Sequence, residues 1–236
     1  MNVIQDYRRS LERSRQALAR EDWPATFTLC GREWDLLRGV FAPVYSPTTE
    51  FSMRLMGLAD PAARPRTGSF LEIGCGSGVI AVASALSGCD RVVAVDINEA
   101  AVRNTAINAE RHGVRERVRS VRSDLFAGLA ADERFETVFW HSNYVLAPAE
   151  YEYRTVLERG YVDPGYATHR RFLAEAPRWL APGGSVLLHF SGRGDLAGLL
   201  RIADECGRAL EVLRSAVFRE GEHEVEHMLM EVRTVT

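Results

Sequence analysis

Between residues 69 and 191 short apolar runs alternate with longer stretches in which apolar positions return every three or four residues. Ser69–Ile73 reads as a buried strand, and Arg91–Val95, Val118–Arg122, Thr137–Trp140 and Ser185–Phe190 read as further strands. Between them the pattern predicts helices over Val79–Ser87, closed by Gly88, and from the Asn98 cap to His112, stopped by Gly113. Further helical stretches are expected near 148–158, 167–180 and Asp195–Cys206. Two long β-runs, near 210–219 and 224–234, flank a turn at Arg219–Glu222 and predict an antiparallel hairpin at the end of the sheet. Strands alternating with helices over short connections imply an α/β fold, a Rossmann-like, doubly wound sheet of seven strands.

The first quarter of the chain is patterned differently. Residues 1–20 set Ile4, Tyr7, Leu11 and Leu18 near one helical face, and 25–58 mix short β-like pieces, a Val44-Tyr45-Ser46-Pro47 turn and a second short helix. The Pro- and Gly-dense stretch "ADPAARPRTG", 59–68, reads as a linker. The expected division is a substrate-covering segment with a small helical lid over 1–58, and a core over 59–236.

Composition narrows the class. A chain of 236 residues with 46% hydrophobic residues can bury a core without staples. Net charge is −3, so no global field draws it to nucleic acid or anionic lipid. The Arg111–Arg122 stretch is interleaved with acids and reads as a solvated surface. Four scattered cysteines and no apolar run of about 18 residues fit a cytoplasmic protein with neither disulfide framework nor membrane span.

Candidate chemistry sits in "FLEIGCGSGVIAVASALSGCDRVVAVDIN". Gly74, Gly76 and Gly78 lie between a strand and a helix, where glycine permits a tight turn and close approach of a ligand to the backbone. Asp96 ends the next strand, where its carboxylate can accept from both hydroxyls of a ribose. A dinucleotide fingerprint would need a third small residue at Val79. The G-x-G-x-G spacing after Glu72, with Asp96 and then Asp124-Leu125 in order, instead resembles the class I S-adenosylmethionine (SAM)-dependent methyltransferases. The resemblance spans about residues 41–191 and is nearest to release-factor glutamine methyltransferases and small-molecule N-methyltransferases. It implies that Glu72, Gly74, Cys75, Gly76 and Gly78 form the SAM loop, that Asp96 holds the ribose, that Ile97 and Leu125 sandwich the adenine, and that Asp124 bonds its amino group.

Where that family carries Asn-Pro-Pro-Tyr after its fourth strand, this chain has "HSNY": Tyr144 stays in register, His141 replaces the asparagine, and Asn143 supplies an amide two positions late on a loop without proline stiffening. His141, Asn143 and Tyr144 are therefore the candidate catalytic residues, with His141 as proton acceptor, Asn143 orienting a nitrogen and Tyr144 facing the cation. Against this, His141 could merely end a strand and Asn143 merely shape a turn. "HEVEH", His223–His227, matches a zinc-protease pattern, but its surroundings alternate as a strand does, so no metal is expected. Three functions stay open: SAM-dependent methylation of a nitrogen on a small amino-acid-like molecule, with no nucleic-acid or membrane partner; self-cyclisation of SAM to azetidine-2-carboxylate and methylthioadenosine, by analogy with methyltransferase-like synthases; or non-catalytic SAM binding. Nothing in the sequence sets an oligomeric state.

Overall fold

A computed structural model of the chain describes residues 4–60 and 66–235. In order, the elements are α1 (Tyr7–Ala19), β1 (Thr26–Leu29), β2 (Arg32–Asp35), α2 (Thr48–Met56), β3 (Ser69–Ile73), α3 (Val79–Leu86), β4 (Arg91–Asp96), α4 (Glu99–Arg111), β5 (Val118–Arg122), β6 (Phe135–His141), β7 (Leu146–Ala147), β8 (Asp163–Pro164), α5 (Ala167–Glu175), β9 (Leu180–Ser191), α6 (Leu196–Glu205), β10 (Arg208–Glu220) and β11 (His223–Thr234). Seven strands form the main sheet in the order β10-β11-β9-β6-β3-β4-β5. β3, β4, β5, β6 and β9 run parallel, and the β10–β11 hairpin closes one end antiparallel, as its alternating pattern implies. The doubly wound class I methyltransferase architecture is thus the observed one.

Alternate strand residues feed two cores. Phe70 packs with Val79, Val82 and Trp34 on one side, while Leu71 and Ile73 pack with Trp140, Phe172 and Leu188 on the other. Strand order reverses between β3 and β6, and the crevice beyond their carboxyl ends is where ligands enter folds of this kind.

The N-terminal segment is less detached than its pattern implies. β1, β2 and α2 bury Phe27, Trp34 and Met53 in the same core as the sheet, and Asn104 and Asn108 of α4 tie β2 down through its backbone. Half of the expected linker, 61–65, lies outside the described residues. The buried face of α1 is Ser10, Leu11, Ser14 and Ala17, and Ile4 and Leu18 are exposed. Small residues let the helix lie close on the body, where the sequence reading had placed larger apolar ones.

The helix expected near 148–158 is replaced by a turn at Pro148, a short 3-10 helix over Val156–Gly160 and the two-residue β7–β8 pair. The cause is Glu158, a buried carboxylate that accepts from the Tyr151 hydroxyl at 2.9 Å and the Arg154 backbone N–H at 2.8 Å. Those bonds hold a folded loop in place of helical turns. The 167–180 stretch is α5 followed by a 3-10 turn over Ala176–Trp179.

Candidate active site

A cavity of about 210 Å³ opens at the carboxyl ends of β3, β4 and β6. Its first wall is the glycine loop. Gly74, Gly76 and Gly78 all have positive φ, and at two of them the surroundings say why. A Cβ on Gly78 would stand 2.7 Å from the Thr105 Cα, so the absent side chain lets α4 pack against the start of α3. A Cβ on Gly76 would meet nothing within 4 Å, so this glycine keeps the cleft itself clear.

Asp96 leans into the same turn. Its Oδ2 accepts from the Gly76 N–H at 3.0 Å and its Oδ1 from the Asn98 N–H at 2.8 Å. Burial raises its pKa above the usual 3.8, with those backbone N–H groups opposing the shift. Glu72 is buried with Oε2 unpartnered, and burial, with Asp96 adding a smaller push, lifts its pKa well above the ordinary value. Cys75 is buried beside Thr105, whose hydroxyl donates to Sγ at 3.2 Å, and burial raises that thiol too. Ile97 and Leu125 line the cavity from the ends of β4 and β5. Leu125 adopts φ +50°, held there as the Ser123 hydroxyl donates to its carbonyl at 2.7 Å. Asp124 also borders the cavity, but its carboxylate is shared with Arg171 at 3.0 Å.

The second wall is the HSNY loop, and it is not loose. The Ser142 hydroxyl donates to the His189 carbonyl at 2.9 Å, and the Tyr166 hydroxyl donates to the Tyr144 carbonyl at 2.7 Å. Both amide hydrogens of Asn143 are committed, to the Arg159 carbonyl at 2.7 Å and the Val162 carbonyl at 2.8 Å. A flipped amide would aim its oxygen at two carbonyls, so this orientation is dictated by the partners. It leaves Asn143 Oδ1 buried and unpartnered in a residue that lines the cavity. The expectation of a loop softened by loss of its prolines is therefore corrected: hydrogen bonds from distant segments do the stiffening.

His141 lines the cavity, and its ring packs against that of His189 at 4.5 Å. Burial, with His227 adding to it, pushes its pKa down to about 3, so it is neutral. Burial raises the Tyr144 phenol, with Glu220 contributing, and keeps it protonated. Trp140, read as core, is 5% exposed and also floors the cavity next to Gly74.

Several cavity residues had no sequence signal. Gln5, Ser10 and Arg13 come from α1 and the residues before it, and Phe41 and Tyr161, with rings 5.2 Å apart, come from separate loops. Behind Trp140 the buried Asp163 carboxylate meets His169 Nδ1 at 2.6 Å. Burial alone would raise Asp163, but His169 and the backbone N–H groups of His169 and Thr168 outweigh it and hold the pKa down. Among the described residues, no helix is long and apolar enough to cross a membrane.

Comparison with known proteins agrees with the fold. A family model described as ribosomal protein L11 methyltransferase (PrmA) matches residues 45–140. The chain is 46% identical over 78 residues to a ribosomal protein L11 methyltransferase of Pelotomaculum thermopropionicum, covering 33% of this chain and 24% of that protein. It is 35% identical over 134 residues to a release factor glutamine methyltransferase of Geobacter sulfurreducens (52% and 45% covered). To a putative protein N5-glutamine methyltransferase of Methanocaldococcus jannaschii it is 29% identical over 145 residues (61% and 70%). The chain thus spans about a quarter to a half of the first and second of these relatives.

Among solved structures, a methyltransferase from Pyrococcus furiosus superposes with TM-score 0.55 at 18% identity, covering 96% of this chain and 97% of that one. A Thermus thermophilus 16S rRNA N2 G1207 methyltransferase gives 0.56 at 19%, covering 88% and 50%. The names of the relatives overturn the expectation of a small-molecule acceptor: they are named for a ribosomal protein and a release factor. The earlier expectation rested on a net charge of −3 with no global field, and a macromolecule that inserts one side chain requires no such field. The matches place the chain in the class I SAM-dependent methyltransferase superfamily.

Proposed function

We propose that this superfamily member binds SAM between its glycine loop and Asp96 and transfers the methyl group to a nitrogen of a macromolecular acceptor, a protein side chain being the best-supported kind. The observation that carries the reading is Asn143. Its two donors are consumed by backbone carbonyls, so the one hydrogen-bonding atom this cavity-wall residue has left is an acceptor, the buried and unpartnered Oδ1. An acceptor held in that way pairs with an N–H and turns the lone pair of that nitrogen away from itself, toward the methyl. Orientation of this kind can supply much of the acceleration of an in-line displacement. The names of the relatives, protein glutamine and release-factor methyltransferases, support a protein acceptor.

In the step, the nitrogen lone pair forms the new N–CH₃ bond, the S–CH₃ pair returns to sulfur to give S-adenosylhomocysteine, and the methylated nitrogen sheds a proton. Neutral His141 is the base available beside Asn143. Tyr144 lines the same cavity, and a cation–π contact of its ring with the sulfonium would add about 0.5–2 kcal/mol.

One observation favours a second reading. The segment around α1 reaches across the cavity: the Gln5 backbone N–H donates to the Arg193 carbonyl at 2.8 Å, and Gln5, Ser10 and Arg13 line the space. With that covering shut, the nitrogen held by Asn143 is, on this reading, the α-amino group of SAM itself. Its attack on the γ-carbon would break the S–Cγ bond, release methylthioadenosine and, after proton loss, leave azetidine-2-carboxylate.

Methyl-labelled SAM incubated alone, and with a ribosome-associated protein fraction, separates the two. Methyl transfer predicts S-adenosylhomocysteine and protein-bound label only when the fraction is present. Enzyme-dependent methylthioadenosine from SAM alone would replace it with the cyclisation reading.

A further inference from the structure

Behind the HSNY loop, three histidines lie in a row across three neighbouring strands. His141 of β6 and His189 of β9 are register partners with rings 4.5 Å apart. His189 Nε2 meets His227 Nδ1 of β11 at 3.1 Å, and His227 Nε2 meets Glu220 Oε1 of β10 at 2.6 Å. Glu220 Oε2 is paired with Arg193 Nε at 2.6 Å in the β9–α6 turn, at the rim of the sheet. His189 and His227 have no solvent exposure. Phe51 and Phe218 pack on His227, and Tyr144 and Ser191 are the other polar side chains nearby.

Imidazole is an expensive choice for the middle of a sheet, where Val or Leu would fill the space without a polar atom to satisfy. The hydrogen-bond direction shows what the row can do. Glu220 is held below the ordinary glutamate range: burial would raise it, and the His227 and Arg193 partners together prevail. An ionised carboxylate only accepts, so His227 carries its hydrogen on Nε2. Its Nδ1 then accepts from His189 Nε2–H, which leaves His189 Nδ1 bare. That atom is buried with no partner, and the next ring along the row is His141, at the cavity.

We propose that His141, His189, His227 and Glu220 form a directed proton relay, carrying the proton shed by the methylated nitrogen from the cavity through the sheet to the Glu220–Arg193 pair at the rim. His141 accepts the proton and passes it to His189 Nδ1. His189 releases its Nε2 hydrogen to His227 Nδ1, His227 releases its own Nε2 hydrogen to the Glu220 carboxylate, and Glu220 hands it to water. Both rings then carry their hydrogen on Nδ1 and return to the Nε2 form by turning over before the next passage. Each ring is entered at one nitrogen and left at the other, so every atom and charge is conserved. Burial keeps His141 and His189 neutral, which disfavours a proton stalling beside the cationic product. His227, the second histidine of the zinc-like "HEVEH" string, thereby has a role on a strand that the helical metal motif could not give it.

The relay rests on the reading that the reacting nitrogen sits beside Asn143 and His141, and its test has an arm independent of turnover. In the wild-type protein saturated with S-adenosylhomocysteine, imidazole ¹⁵N shifts should show His189 and His227 protonated on Nε2 and bare on Nδ1. A hydrogen on His189 Nδ1 would overturn the relay whatever the acceptor is. The second arm uses Glu220→Gln, which keeps an acceptor for His227 but not a charge, and His189→Gln. Conversion of SAM to whichever adenosine product the wild type makes should fall about tenfold, with SAM affinity unchanged. The residual rate should climb with pH as hydroxide takes over, while the wild-type rate stays level. A purely structural role would lower the rate equally at every pH, and a normal rate in both variants would also overturn the proposal. If the wild type converts no SAM in any mixture, the functional reading fails, and the ¹⁵N shifts still decide the relay.

Discussion

The glycine-loop wall of the cavity is a product of backbone geometry, and the HSNY wall is a product of side chains reaching for backbone. On the first, residues with positive φ and the ends of adjacent parallel strands set every position, and Asp96 is fastened by two backbone N–H groups. On the second, Ser142, Asn143 and Tyr166 each donate to a carbonyl elsewhere in the chain. A wall of the first kind tolerates few residue types, because a Cβ or a different φ breaks it. A wall of the second kind can be rebuilt with other donors, and here it holds an amide in the cavity with the family's prolines gone. The cofactor side is thus constrained by the fold, and the acceptor side is free to change chemistry.

The largest effect that would sharpen this contrast is at Gly78. Gly78→Ala drives a Cβ into the α4 backbone and fixes a strained φ, costing about 2–4 kcal/mol. Thermal unfolding should begin about 5–15 °C lower. Gly76→Ala, strained in φ as well but with open space for the Cβ, should lower the melting temperature by only a few degrees while weakening SAM. Equal melting losses in the two variants would break the distinction between packing and clearance glycines.

Next comes Asn143→Ala, which removes the acceptor and strands the Arg159 and Val162 carbonyls. Turnover should drop by about one to three orders of magnitude, with SAM affinity within twofold, because this wall positions the acceptor and not the cofactor. A parallel loss of SAM affinity would merge the walls.

A smaller effect is expected on acidification. Asp96 must be ionised to accept from both ribose hydroxyls, and its pKa lies above 3.8 in the free protein. SAM binds the ionised form, so affinity holds above that raised pKa, falls as pH drops through it, and binding there releases a proton. Titrations in two buffers of different ionisation enthalpy measure the released proton. Proton uptake would reverse the sign and contradict the assignment.

The smallest is Tyr166→Phe, which removes one tie on the Tyr144 carbonyl and one on the Asp195 N–H. Each is worth about 0.5–1.5 kcal/mol, and turnover should fall only a few-fold. A loss as deep as that of Asn143→Ala would mean that the loop depends on this single anchor.

The same contrast explains what could be read without coordinates. The parallel strands, α3, α4 and the terminal hairpin all follow from local apolar periodicity, and Gly76 and Asp96 from spacing that only a strand–turn–helix–strand unit satisfies. The 148–166 segment did not follow, since its shape comes from Glu158 gathering Tyr151 and Arg154, a polar cluster without a period. On α1 the expected Leu11 is buried but Ile4 and Leu18 are not, and Ser10, Ser14 and Ala17 complete the face as small residues that a hydrophobicity pattern passes over. His141 was visible as chemistry, but its continuation through His189 and His227 depends on strand order and register, which no single strand reveals.

The most direct test is calorimetric titration of SAM into the wild-type protein and Asp96→Ala. Losing a charged acceptor for two hydroxyls, at about 1.5–3 kcal/mol per bond, predicts at least tenfold weaker binding. Unchanged affinity for SAM in Asp96→Ala would contradict the account.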